Sequence, residues 1–222
     1  MRTNFGIEAL ARMQYRLVIF DFDGTLADSF PWFSRVINDV ADRFKFKRVD
    51  TSEMEQLRTM DARALMRHLG VPGWKVPFIA HHMRKRKSQE LDQTRLFEGV
   101  DRMLRQLSDA GIALALVSSN SESNIRAILG AKNTGLIRFY ECGASLLGKS
   151  SRFRTVLRRS GIPAREAICI GDEIRDLEAA QTEGIGFGAV TWGYTTAEAL
   201  IARSPAMVFH SVDEVAERLA RS

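Results

Sequence analysis

The sequence predicts an α/β chain in which a parallel sheet lies between two layers of helices and an all-helical segment is inserted after the first strand. Three observations lead there. From Gly99 onward, helical and extended patterns alternate to the end of the 222-residue chain. A short apolar run, Leu17-Val18-Ile19-Phe20, stands alone far upstream and ends in Asp21-Phe22-Asp23-Gly24-Thr25. Between the two, residues 28–91 carry no extended pattern. Alternating strands and helices give parallel strands joined by helical crossovers and covered on both faces. The early strand must therefore pair among the later ones, with the segment between hanging over their edge.

The elements follow in chain order. Residues 1–14 form an N-terminal extension with too few consecutive apolar residues for a secretory signal, and Met13 stands as an alternative start. The strand at 15–20 ends in a continuous apolar run, as a strand buried on both faces must. Trp32, Phe33, Val36, Ile37, Val40 and Phe44 then recur at helical spacing, with Pro31 near the helix start. Leu57, Ala64, Leu65 and Leu69 continue the helical pattern, with Asp61 as an N-cap and Gly70 past the C-terminus. Ile79 and Met83 mark a further helix. These residues place a helical cap at 28–95 and a core in two pieces, 15–27 and 96–222. In the second piece we expect helix 100–110 stopped by Gly111, strand 112–117, helix 122–129 and a weak strand at 137–142. Helix 150–159 follows, stopped by Gly161, then strand 167–170 and helix 174–182, stopped by Gly184. Strand 186–191, helix 197–202, strand 206–209 and helix 212–220 finish the chain.

Apolar residues make up 45%, ordinary for a globular chain. No apolar run approaches the roughly 18 residues that span a bilayer. Cys142 and Cys169 stand far apart without metal-ligand spacing, so we read both as buried thiols in a reducing cytoplasm. The net charge is +5, and all of the excess falls between Asp28 and Phe97, which holds 14 Lys+Arg against 9 Asp+Glu. That segment contains His81-His82-Met83-Arg84-Lys85-Arg86-Lys87. The run is either a solvated helix face or a field that draws in an anionic substrate. No aromatic residue interleaves with it, which argues against a nucleic-acid surface.

Sites in parallel sheets lie beyond the carboxyl ends of the strands, and four such ends carry chemistry. Side chains of an extended segment alternate, so Asp21 and Asp23 can share one side while Phe22 points away. Two carboxylates held together need a cation or a shared proton, and magnesium is a hard ion suited to them. Gly24 lets the chain turn sharply off the strand. At the second end, Ser118, Ser119 and Asn120 precede a helix and either bind phosphate or cap that helix. Lys149 opens another helix as a point charge for phosphate or a carboxylate. Asp172 ends a fourth strand, and Asp176 lies one helical turn later on the same face. The glycine run Gly184-Ile185-Gly186-Phe187-Gly188 precedes a strand instead of opening a helix, the wrong context for a dinucleotide site.

In order and spacing, Asp21-Phe22-Asp23-Gly24-Thr25-Leu26, the strand ending at Ser118, Lys149, and Gly171-Asp172 with Asp176 resemble the haloacid dehalogenase superfamily. The insert resembles its small helical cap. Val190-Thr191-Trp192-Gly193-Tyr194 is similar to the phosphoglycolate-phosphatase-like branch. The resemblance implies a Rossmann-like core and a magnesium-dependent phosphatase acting on a small phosphorylated metabolite. It implies that Asp21 attacks phosphorus and that Asp23 acts as acid and then as base. Magnesium would be held by the Asp21 carboxylate, the Asp23 backbone carbonyl and Asp172, with Asp176 supporting through water or by holding Lys149. Gly24, Thr25, Ser118, Ser119, Asn120 and Lys149 would surround the phosphoryl group, with Ser118 favoured over Ser119 as the second-motif hydroxyl. Arg58 is the first cap residue expected at the substrate, with Arg63, Arg67 and His68 as further candidates. Asp23 argues against a dehalogenase, and the insert against a response-regulator receiver. A sugar-phosphate mutase would use the same core residues, and a non-catalytic interaction protein would lack a carboxylate that is present here.

Overall fold

The computed structural model describes residues 15–143 and 148–220; the extension read at 1–14 lies outside them. Six parallel strands form the main sheet: β1 (Leu17–Phe20), β4 (Ala113–Val117), β5 (Phe139–Glu141), β6 (Ala167–Gly171), β7 (Gly186–Val190) and β8 (Met207–Phe209). Their spatial order is β5-β4-β1-β6-β7-β8, so the first strand sits inside the sheet. It is flanked by β4 and β6 in one register, with Phe20 beside Leu116 on one side and Ile170 on the other. Asp21, Ser118 and Asp172 follow these strands and therefore emerge at the same edge.

Alternation within β1 splits the core. Val18 and Phe20 pack in one apolar cluster with Leu104 and Leu107 of α5 (Val100–Asp109), Ile125 of α6 (Glu122–Thr134) and Val215 of α10 (Val212–Leu219). Leu17 and Ile19 face the other way, onto Phe153 of α7 (Lys149–Ser160), Leu177 of α8 (Ile174–Thr182) and Leu200 of α9 (Ala197–Ile201). Side chains on a strand alternate between faces, so one four-residue run supplies both layers and has no polar position to spare.

Helix α6 extends beyond the expected 129, because Gly130 at φ 73° kinks the path and the helix resumes to Thr134. Elsewhere the element ends fall within a residue or two of those expected.

The chain leaves and re-enters the core through a small ribbon, β2 (Ala27–Asp28) paired antiparallel with β3 (Arg95–Leu96). It was not expected from the sequence, because two residues show no periodicity. Between its strands lie α1 (Phe30–Phe44), α2 (Met54–Leu57), α3 (Ala62–His68) and α4 (Val76–Gln89). Pro31 opens α1, and the Asp61 carboxylate accepts from the Ala64 amide as the N-cap of α3. Both uses follow from the donors left free at a helix start. Ile37, Val49, Leu57 and Leu69 form a separate apolar cluster within this segment. Cys169 is buried and Cys142 half-buried, both as free thiols. No helix among the described residues is long and apolar enough to cross a membrane.

Candidate active site

The turn after β1 sets the geometry. Gly24, at φ 80°, brings its amide back to the Ala27 carbonyl, and the Leu26 and Ala27 amides both donate to Phe22. A side chain at Gly24 would strike the Asp172 carboxylate. Asp21, Asp172 and Asp176 gather beneath this turn, each offering an oxygen within 4.8 Å of the others. All three are buried. Asp21 Oδ1 accepts from the Phe22 amide at 2.7 Å, while its Oδ2 lies 2.8 Å from Lys149 Nζ. Lys149 also donates to Asp176 Oδ1 at 2.5 Å. Asp172 is fixed by Thr25 Oγ1 and by the Tyr194 amide, both at 2.7 Å. The Thr25 hydroxyl thus holds a carboxylate at the floor of the site.

Three buried carboxylates face one ammonium. Burial opposes the charge on Lys149, yet Asp176 and Asp21 together hold it above the ordinary lysine range. Burial also pushes Asp172 well above the usual carboxylate range, with Glu173 and Asp21 adding to the effect. Burial raises Asp176 to about 7 against the pull of Lys149. Asp176 Oδ2 is buried without a hydrogen-bond partner among the described residues. Such a group costs free energy until a proton or cation meets it. Hard oxygens, excess negative charge and an orphaned carboxylate oxygen fit a small divalent cation. Gly171 and Gly193 keep the space open, since a Cβ on either would press on Asp176 or Asp172.

Asp23 stands apart from this cluster. Its Oδ2 accepts from Asn120 Nδ2 at 2.9 Å, and its Oδ1 lies 3.5 Å from Lys87 Nζ. Asn120 is aligned in turn, its Oδ1 accepting from the Ser121 amide and from Asn124 Nδ2. Ser118 is buried and its hydroxyl accepts from the Asn120 amide, whereas Ser119 is half-buried.

A cavity of about 320 Å³ runs from Asp23, Ser119 and Asn120 up between the cap helices. Its walls are mostly apolar, including Trp32, Phe33 and Tyr194. Of the four cap residues considered for substrate contact, Arg58 lines it, and Arg63, Arg67 and His68 do not. The Arg58 guanidinium donates to the Tyr194 and Gly193 carbonyls at 3.0 Å and to Glu55 at 2.9 Å. It ties the cap to the loop that holds Asp172.

Lys87, Thr25 and Tyr194 were not recognised for these roles. Lys87 follows Ile79 and Met83 at four-residue spacing and so shares their face, but its charge and its place in a run of cations argue for a solvated position. The Tyr194 contact is made by a backbone amide, which residue identity does not reveal.

The family model described as haloacid dehalogenase-like hydrolase matches residues 18–190. A phosphoglycolate phosphatase of Synechococcus elongatus is 33% identical over 189 residues, covering 85% of this chain and 89% of that protein. A phosphoglycolate phosphatase of Pseudomonas savastanoi pv. phaseolicola is 24% identical, covering 87% and 75%. Among solved structures, one described as a predicted phosphatase from Clostridium acetobutylicum superposes with a TM-score of 0.78 at 22% identity, covering 94% of this chain and 99% of that one. CbbY from Rhodobacter sphaeroides, in complex with phosphate, superposes with a TM-score of 0.70 at 21% identity, covering 90% and 96%.

Proposed function

The chain belongs to the haloacid dehalogenase-like hydrolases, and from that membership we propose a magnesium-dependent phosphatase that cleaves a small phosphate monoester through a phosphoryl group carried on Asp21. The observation that carries this reading is the cluster of Asp21, Asp172 and Asp176 around Lys149.

Asp21 is the nucleophile. Its Oδ1 is held by the Phe22 amide and its Oδ2 by Lys149, so the carboxylate is fixed before substrate arrives. One carboxylate oxygen forms a bond to phosphorus as the ester oxygen leaves. Asp23 gives that oxygen its proton. It then takes a proton from the water that attacks the phosphoryl-aspartate, releasing phosphate and restoring Asp21. Asn120 holds Asp23 in place for both transfers. Magnesium, held by Asp21, Asp172 and the Asp23 backbone carbonyl, would neutralise charge on the transferring group. Asp176 holds Lys149 through Oδ1 and would support the metal from its other oxygen, through water, while Ser118, Ser119 and Lys149 bind phosphoryl oxygens. Residues 28–95 act as the cap that closes over the leaving group and excludes water.

The substrate we favour is a phosphoglycolate-like ester, on the strength of the Synechococcus relative. The free thiols fit a cytoplasmic enzyme. A panel of phosphoglycolate, pyrophosphate, nucleotides and sugar phosphates assayed with magnesium tests the reading. Phosphate release should be highest for a small ester and fall at least ~10³-fold in Asp21→Asn, about 4 kcal/mol of barrier. Near-native turnover by that variant would remove Asp21 from its role.

A further inference from the structure

Lys87 ends the basic run of α4, yet it is only 3% exposed. Among the described residues its ammonium has no hydrogen-bond partner. It lies over the Trp32 ring, 4.3 Å from the centroid, and that ring is fixed by its own Nε1 donating to Glu90 at 2.8 Å. Its nearest anion is Asp23 Oδ1 at 3.5 Å. An ammonium has three donors and no acceptor, and leaving them unmet in a buried place is costly.

Each of the other cations lining the cavity has an acceptor, though the buried Arg175 Nε has none among the described residues. Arg58 is held by two backbone carbonyls and Glu55. Arg84 donates to the Ser119 carbonyl at 3.2 Å, and Arg175 to Glu173 at 2.5 Å. Lys87 therefore presents a buried cation with unmet donors to the cavity that Asp23 also lines. If Asp23 protonates the departing ester oxygen, a group one carbon beyond that oxygen comes to lie beside the Lys87 ammonium.

We propose that Lys87 is a specificity-determining residue that binds a carboxylate on the leaving group of the substrate. The proposal rests on the phosphatase reading above. It selects esters whose alcohol carries an acid next to the carbinol carbon over esters with a neutral or cationic alcohol. The apolar walls around Lys87 contribute by excluding water, which strengthens a charge pair.

Binding to the full chain carrying Asp21→Asn, with magnesium saturating, tests this without turnover. Three ligands of similar size are compared by calorimetry: 2-phosphoglycolate, ethyl phosphate and phosphoethanolamine. The parent should bind phosphoglycolate at least about tenfold more tightly than ethyl phosphate, as a charge-assisted contact would give, and phosphoethanolamine most weakly. Adding Lys87→Met should bring the first two to within about twofold of each other by weakening phosphoglycolate alone, while Lys87→Arg keeps part of the preference. The proposal is overturned if the parent shows no preference for the carboxylate, if the preference survives Lys87→Met, or if both esters weaken equally, which would confine Lys87 to Asp23. Should Lys87→Met fail to fold, Lys87→Gln carries the same comparison. Failure of the phosphatase reading shows separately, as no phosphate released from any ester by the unsubstituted protein.

Discussion

At the scale of single residues, the site is an excess of negative charge held in place by buried contacts. Asp172 and Asp176 both bind protons more tightly in the fold than in water, Asp176 with a value raised from 3.8 to about 7. A carboxyl raised in this way contributes stability below its ordinary value and loses it as pH rises through the folded one. Lys149 is shifted upward from its own ordinary value, so its contribution fades only in the alkaline range and does not bend the curve below neutrality. The metal-free protein should therefore lose melting temperature as pH climbs from near 4 to 7. Magnesium, taking the place of the protons, should restore it at neutral pH and do little in acid. Scanning calorimetry in chelator and in magnesium at the two ends of that window checks this, and an equal magnesium effect at both would refute it. Cys142, pushed up to about 12 mainly by burial, takes no part in this window.

At the scale of elements, strand ends and tight turns place the acids, and glycines make room for them. Gly193 follows Trp192, whose Nε1 donates to the Thr25 carbonyl at 3.1 Å and so pins the loop after β7 to the turn after β1. A methyl group at Gly193 would overlap Asp172. Gly193→Ala should lower kcat by more than about tenfold and stability by about 1–3 kcal/mol, as overpacking does. Gly73→Ala, which meets nothing, should leave both unchanged. Equal behaviour of the two variants would show that the Asp172 pocket yields more readily than its packing implies. The same elements explain what was legible in advance. The strand Leu17–Phe20 and the stops at Gly111, Gly161 and Gly184 follow from local chemistry, because apolar continuity and positive φ are properties of short segments. The acids at the strand ends were legible for the same reason. The β2–β3 ribbon, the continuation of α6 past Gly130, where Asn133 donates to Asp101, and the pairing of Lys87 with Asp23 depend on partners far along the chain. No window of sequence contains those partners.

At the scale of the whole molecule, the positive excess of the cap divides into two parts. Arg84 binds the Ser119 carbonyl, Arg86 pairs with Asp39 and Glu90, and Lys87 is buried beside Asp23, so these cations bind the cap to itself and to the core. Arg63, Arg67 and Lys85 are exposed and do not line the cavity. The second group, like the exposed Arg43 and Lys45, is free to act at a distance. A phosphate ester is an anion that must enter beneath the cap, and exposed cations there should raise its local concentration and speed capture. Replacing Arg63, Arg67 and Lys85 together with Gln removes three charges without touching a site residue. At about 10 mM ionic strength, where screening sets in only near 30 Å, kcat/KM should fall about two- to fivefold while kcat stays unchanged. At physiological salt the screening length is about 8 Å, and most of the difference should vanish. A defect that persists at high salt would mean that one of the three touches substrate directly. Wild-type kcat/KM at low salt would mean that these charges serve solvation alone.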